Sequence, residues 1–182
     1  MRIITGSARG AKLDTLEGET TRPTAERTKQ AIFNIIQFDI EGRSVLDLFG
    51  GSGQLAIEAL SRGASGAYVC DCSADACEII KRNARKTHLF EKMRVVCSDY
   101  KSTIKSLSGR EKFNIIFLDP PYDSDCISIA LRRIMEGDIL APGGYIICES
   151  DKSSPFEYEG LTLYRHNKYG KAYVTVLKKE EQ

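Results

Sequence analysis

The chain has 182 residues, 42% hydrophobic and 28% charged, a length that suits one domain and a composition that excludes a long disordered tail. With 26 Lys and Arg against 25 Asp and Glu, the net charge of +1 argues against a protein that coats nucleic acid by bulk electrostatics. No stretch approaches the roughly 18 apolar residues of a spanning helix, and Met1-Arg2-Ile3-Ile4-Thr5-Gly6 lacks the apolar core of a secretory signal, so the expected compartment is the cytoplasm, away from any membrane.

The first 21 residues carry Gly6, Gly10 and Gly18 among short β-prone pieces. Arg22-Pro23-Thr24 then leads into an amphipathic helix containing Ala31, Ile32, Ile35 and Ile36, with Pro23 and Thr24 suited to its entrance. From there short apolar runs alternate with longer amphipathic segments. Strands are predicted over 44–49, 67–71, 93–98, 113–118 and 144–148, and helices over 54–62, 74–89, 101–107 and 124–137. Ser73 is the expected N-cap of the second of these helices, whose Cys77, Ile80 and Ala84 would face the sheet. Two alternating runs, 161–168 and 171–179, meet at Tyr169-Gly170 and predict an antiparallel hairpin. The expected fold class is α/β, a Rossmann-like and mostly parallel sheet closed by a C-terminal antiparallel hairpin, with a small N-terminal β/helix extension. In such sheets ligands bind at the carboxyl ends of the strands.

Cys70, Cys72, Cys77, Cys97, Cys126 and Cys148 lie among apolar neighbours and form no C-x-x-C pair, so they read as small buried thiols and no metal is expected. Six basic residues between 81 and 94 face one acid, Glu91, a run that reads as a solvated helix face or as phosphate contacts.

Val45-Leu46-Asp47-Leu48-Phe49-Gly50-Gly51-Ser52-Gly53 is a strand running into a glycine turn and a helix. Glycines there let the backbone approach a ligand, and the N–H groups at the helix entrance offer hydrogen bonds. Asp71 ends the next strand, 18 residues after Gly53, where a carboxylate can accept both hydroxyls of a ribose. Together these indicate a cofactor containing a nucleoside. Asp47 separates the pattern from a dinucleotide fingerprint, because a carboxylate on the pocket floor repels pyrophosphate and suits an ammonium. S-adenosylmethionine has that ammonium and no phosphate, so it is favoured over NAD. Asp99, after the third strand, could reach the exocyclic amine of the adenine.

Asp119-Pro120-Pro121-Tyr122 follows the apolar strand 113–118. The two prolines fix the chain and leave the Pro120 carbonyl without a ladder partner. Asp119 and that carbonyl are then two adjacent acceptors, matched to the two N–H bonds of an exocyclic amine, and Tyr122 can stack on the base.

The glycine turn with Asp119-Pro120-Pro121-Tyr122 resembles the class I S-adenosylmethionine methyltransferases that modify exocyclic amino groups of bases. With Arg2-Ile3-Ile4-Thr5-Gly6, Arg22-Pro23-Thr24, Phe33-Asn34, Glu58-Ala59-Leu60-Ser61-Arg62-Gly63-Ala64 and Tyr169-Gly170, the chain is similar over nearly its whole length to the RsmD family. That family comprises bacterial enzymes that methylate N2 of a guanine in 16S ribosomal RNA. The resemblance implies a methyltransferase domain over residues 41–182, an extension over 1–40 that contacts RNA, and a 16S ribosomal RNA or small-subunit particle as partner of a monomeric enzyme. It assigns Asp47, Gly51, Ser52 and Gly53 to the methionine part of the cofactor, Asp71 to the ribose and Asp99 to the adenine. Phe49, Cys72 and Tyr100, beside these positions, are counted to the same pocket. Asp119, Pro120, Pro121 and Tyr122 fall to the target base, and Lys12, Arg22, Thr24 and Arg27 to RNA. The sequence departs from the family pattern at Asp71, where Glu is usual, at Gly50 and Gln54, where Ala is common, and at Gln30.

The implied reaction is direct transfer of the sulfonium methyl to nitrogen, with Asp119 and Pro120 orienting the amine by preorganised electrostatics. The residues alone leave adenine N6 of DNA or RNA open, since the acceptor pair fits either amine. A binding module without catalysis and a nicotinamide oxidoreductase are further alternatives, against which the intact Asp119 and the position of Asp47 respectively speak.

Overall fold

Uniformly apolar strands separated by amphipathic helices bury both faces when the strands lie parallel with helices on either side. The computed structural model describes residues 1–16, 23–121 and 124–181. In chain order they form α1 (Pro23–Ile35), β1 (Ser44–Asp47), α2 (Gln54–Ser61), β2 (Gly66–Asp71), α3 (Ala74–Lys86), β3 (Met93–Cys97), α4 (Tyr100–Leu107), β4 (Phe113–Leu118), α5 (Ser124–Glu136), β5 (Leu140–Ser150), β6 (Leu161–Tyr169) and β7 (Ala172–Lys179). The strand order is β3-β2-β1-β4-β5-β7-β6. β1 to β5 pair in parallel, and β7 runs antiparallel between β5 and β6. This is the α/β sheet with a C-terminal hairpin that the periodicity implies.

Alternate strand residues feed two apolar layers. Val45, Val69, Ile115, Phe117, Ile147 and Val176 pack with α1, α2 and α3 on one face. Leu46, Cys70, Ile116, Ile146 and Leu177 pack with α4 and α5 on the other. Ser73 caps α3 as expected, its hydroxyl accepting the Ala76 N–H at 3.2 Å. The helix stops at Lys86, three residues before the predicted end, because His88 turns left-handed (φ 59°) and the Leu89 N–H reaches back to the Ala84 carbonyl. β5 is longer than 144–148, since Leu140 already pairs with Phe113 before a register shift. No described helix is long and apolar enough to cross a membrane.

The N-terminal β pieces reduce, among the described residues, to a single antiparallel bridge between Arg2 and Lys12. What holds this segment is a buried polar hub. Glu58 on α2 is fully buried, and its carboxylate accepts the N–H groups of Ile4 (2.8 Å) and Thr5 (3.0 Å) and the Arg62 Nε–H (2.8 Å). Lys29 of α1 lies 3.6 Å from the same carboxylate and donates to the Arg2 carbonyl at 2.6 Å. Burial lowers the Lys29 pKa, opposed by Glu58. One turn on, the Ser61 hydroxyl donates to the Thr5 carbonyl and accepts the Ala8 N–H. Gly6 touches α2 so closely that a Cβ there would sit 1.8 Å from the Ser61 carbonyl oxygen.

Truncating Glu58 to Ala strands Lys29, Arg62 and two backbone donors in the interior. Urea unfolding of Glu58→Ala is expected to lose about 3–5 kcal/mol; a loss under about 1 kcal/mol would contradict the hub.

Candidate active site

β1 ends at Asp47, and the chain turns through Gly50 to Gly53 into α2. The turn is built by hydrogen bonds from the Gly50 N–H to the Cys70 carbonyl (2.9 Å) and from the Gly53 N–H to the Gly50 carbonyl (2.7 Å). Gly51 and Gly53 have φ of 56° and 79°, a region costly for other residues. A Cβ at Gly50 would meet Val69 and Ile80 at 2.6 and 2.7 Å, whereas one at Gly51 would meet nothing within 4 Å. The turn thus packs its first glycine inward and presents the next to an open cleft. Glycine at position 50, where the resemblance has Ala, follows from that inward contact.

Asp71 pins the turn from the neighbouring strand. Its carboxylate accepts the Gly51 N–H and the Ser73 N–H, both at 2.9 Å. Each oxygen keeps a second lone-pair direction, so the group can hold the loop and still accept a hydroxyl. Asn83 of α3, fully buried, braces the same loop. Its amide donates to the carbonyls of Ser52 and Asp14 (both 2.9 Å), and its oxygen accepts the Asp14 N–H at 2.8 Å. Ser52 is buried, with its hydroxyl 3.9 Å from the Met1 sulfur.

Asp47 is 1% exposed and has the Phe49 N–H at 3.2 Å. Burial, with the charges of Asp119 and Asp71 beside it, pushes its carboxyl up to about 7 against the opposing Phe49 hydrogen bond. On the other flank of β1, Leu118 pairs with Cys148. Asp119 and Glu149 follow these two positions, side by side at the carboxyl ends of β4 and β5. Because side chains alternate, Asp47, Asp71, Asp119 and Glu149 continue the face of Val45, Val69, Phe117 and Ile147. Glu149 is half-buried, and burial and Asp119 raise its carboxyl to about 8. Its side chain makes no hydrogen bond or ion pair with another described residue. Its only sequence signal is the one that marks Asp71 and Asp119, an acid directly after an apolar strand. Asn83 has none, since its partners are 31 and 69 residues away.

The remaining expected pocket residues cluster at the ends of β1, β2 and β3. The Phe49 and Tyr100 rings pack 5.2 Å apart, while Cys72 is exposed. Asp99 caps α4, accepting the N–H groups of Lys101 and Ser102 (2.9 and 3.0 Å), and hydrogen bonding from Ser102 holds its carboxyl below the usual range. Cys97 is also exposed, so the reading of all six cysteines as buried is corrected: edge strand β3 leaves its end uncovered. Among the described residues no group of three or more His, Cys, Asp or Glu side chains could hold a metal ion.

Of the expected RNA contacts, Lys12 and Arg27 are exposed. Arg22 and Tyr122, and the side chain of Thr24, lie outside the described residues. The basic run at 81–94 is largely engaged within the fold. Lys81 pairs with Glu78, Arg82 and Lys86 with Asp14, Arg85 lies over the Phe90 ring and Arg94 over Tyr68.

A family model described as "Conserved hypothetical protein 95" matches residues 1–178. Bacillus subtilis YlbH is 36% identical over 98% of this chain and 99% of its own length. The Haemophilus influenzae protein named "Ribosomal RNA small subunit methyltransferase D" is 32% identical over 93% of this chain and 89% of its own. The solved structure of Escherichia coli yhhF superposes with a TM-score of 0.88 at 30% identity, covering 100% of this chain and 99% of that one. SMU.776, solved in complex with SAH, shares the fold at 17% identity and a TM-score of 0.69, over 82% of this chain and 48% of its own.

Since the raised Asp47 stays protonated while its unfolded counterpart ionises near 3.9, stability falls as pH climbs toward 7 and levels off above it. Asp47→Asn lacks this penalty. Its unfolding free energy relative to wild type is expected to rise by on the order of 4 kcal/mol between pH 4 and 7.5, and parallel pH curves for the two proteins would refute the buried carboxylate.

Proposed function

Because the chain belongs to the RsmD family of class I methyltransferases, we propose that it moves the methyl group of S-adenosylmethionine to the exocyclic N2 of a guanine in 16S ribosomal RNA. The observation that carries this reading is that Asp119-Pro120 and Glu149 follow directly on the last pair of β4 and β5, Leu118 with Cys148, with Asp119 and Glu149 on the face that also holds Asp47. The donor set fits the cofactor. An ammonium and a sulfonium suit a cleft whose acids raise one another's pKa, a ribose suits Asp71, and the open side of Gly51 admits close approach of the methionine carboxylate.

When bound, S-adenosylmethionine supplies an electrophilic methyl group. The protein's part is to present the acceptor nitrogen to it. That amine's lone pair is delocalised into the base, so acceptors at both N–H bonds favour the pyramidal nitrogen and the positive charge that develops on it. The Asp119 carboxylate and the Pro120 carbonyl are those acceptors. Once the methyl has moved, the extra proton leaves to water, so Asp119 need not act as a base beforehand. The target base enters unstacked, since an exocyclic amine within a duplex is out of reach.

Glu149 favours guanine over adenine. Guanine's pairing edge offers three N–H bonds, two at N2 and one at N1, whereas adenine turns a lone pair outward at N1. Two acceptors take the amine, and Glu149, beside Asp119, is a third acceptor that N1–H can use. A cation in the cleft and a donor at N1 both favour its ionised form, which repels the adenine lone pair.

Labelled methyl transfer to small-subunit RNA, small-subunit particles and DNA, followed by nucleoside digestion, tests this. N2-methylguanosine from the small-subunit substrates is expected, and N6-methyladenine would overturn the assignment. In the same assay Asp119→Ala should lose about a hundredfold or more in turnover with cofactor affinity nearly intact, and Glu149→Gln should weaken guanine over adenine; turnover and product ratio unchanged in both would remove these residues from the target site.

A further inference from the structure

The 19 residues from Leu161 to Lys179 contain no Asp or Glu, yet they carry Arg165, Lys168, Lys171, Lys178 and Lys179 in a chain whose overall charge is only +1. Charge is therefore segregated onto the β6–β7 hairpin. Lys179 is engaged with Asp138 at 3.0 Å. Arg165, Lys168 and Lys171 are exposed and make no ion pair with a described residue. The first two lie only over rings, Arg165 above Tyr164 (5.6 Å) and Lys168 above Tyr173 (5.5 Å). A ring face attracts a cation without neutralising it, so the positive potential here stays available. The basic run at 81–94, by contrast, is largely ion-paired, Lys81 with Glu78, Arg82 and Lys86 with Asp14 and Arg94 with Glu111.

Position adds to charge. Because β7 runs against β5, with Glu149 opposite Val174 and Ser150 opposite Tyr173, the hairpin turn at Gly170 (φ 63°) projects past the carboxyl end of β5, beside the cleft. At about 4.8 Å per strand, β6 stands roughly 14 Å from β4 and Asp119. The platform is also fixed. His166 stacks on Tyr173 with centroids 5.6 Å apart and planes 9° from parallel. Its ring nitrogens meet the Thr175 hydroxyl and the Ser153 carbonyl, both at 2.9 Å.

We propose that the tip of the β6–β7 hairpin, through Lys168 and Lys171, is a docking surface for RNA phosphates a few nucleotides from the target base. This rests on the reading of the substrate as RNA. It places a phosphate-binding element on the far side of the cleft from the cofactor, so that a strand crossing the cleft is held where it leaves β4. Phosphate contacts of this kind set orientation and register and carry no base preference.

The test is binding of fluorescently labelled, deproteinised small-subunit ribosomal RNA to the full-length protein between 50 and 200 mM salt, for wild type, Lys168→Glu/Lys171→Glu, the milder Lys168→Gln/Lys171→Gln, and a Lys12→Glu/Arg27→Glu comparison. Each hairpin variant removes two cations that neutralise phosphates, so its log–log salt slope should shrink by about 1.4, with affinity at least tenfold weaker in about 100 mM salt and S-adenosylmethionine affinity unchanged. Wild-type slope and affinity in both hairpin variants would overturn the docking surface and leave the RNA reading standing. Absence of RNA binding by the wild-type protein at every salt concentration would overturn both.

Discussion

Parallel strands that end together place their last inward side chains on one face of the sheet, and here four of those positions on four neighbouring strands are carboxylates. Asp47 lies deepest, under the glycine turn, where burial and its acidic neighbours favour the protonated form. Glu149, beside Asp119, is held the same way. Water cannot screen a group at the floor of such a cleft, so the cluster carries an electrostatic penalty that a cation relieves. In the proposed reaction a cofactor with an ammonium and a sulfonium would be drawn to the floor for that reason, and an anionic dinucleotide would be repelled by the same groups.

The floor is useful only if the loop above it holds its shape, and that depends on contacts distant in sequence. Asp71 ties the Gly51 N–H to the second strand, and Asn83 ties the Ser52 carbonyl to the third helix. The N-terminal segment crosses both flanking helices, held on α2 by Glu58 and Ser61 and on α3 by Asn83. It shares one apolar layer with the sheet through Ile3 and Leu13. The segment that the resemblance links with RNA binding thus also braces the glycine turn. A single buried carboxylate, Glu58, coordinates that brace, and its charge is matched by Lys29 and Arg62.

Much of this architecture is legible in local sequence because its causes are local. The glycine turn after an apolar strand, Ser73 ahead of α3, Pro23 at the entrance of α1 and Tyr169-Gly170 between two alternating runs each act within a few residues. The bounds of β4 at 113–118 agree with periodicity because both of its faces are buried. What escapes a reading of the sequence is side-chain pairing across 50 to 70 residues, as at Glu58 with Ile4 and Asn83 with Asp14. The same holds for the second role of Asp71: a carboxylate read for its ribose also pins the loop, a fact visible only once the two strands lie side by side. Glu149 carries the right local signal but belongs to a strand that runs from Leu140 to Ser150, beyond both ends of the apolar stretch 144–148. Exposure of Cys97 follows from β3 being a sheet edge, and strand order is not written in any one segment.

The central claim is that cofactor charge replaces protons on a buried carboxylate floor. Calorimetric titration of S-adenosylmethionine into the protein between pH 5.5 and 7, in buffers of different ionisation heat, addresses it directly, because the cofactor's own ammonium, with an α-amino pKa of about 7.7–8.0, stays protonated there. Release of roughly half to one proton per cofactor bound, with affinity rising on the order of tenfold across that range, is the predicted result. Binding without proton release, at an affinity that does not change with pH, would contradict the account.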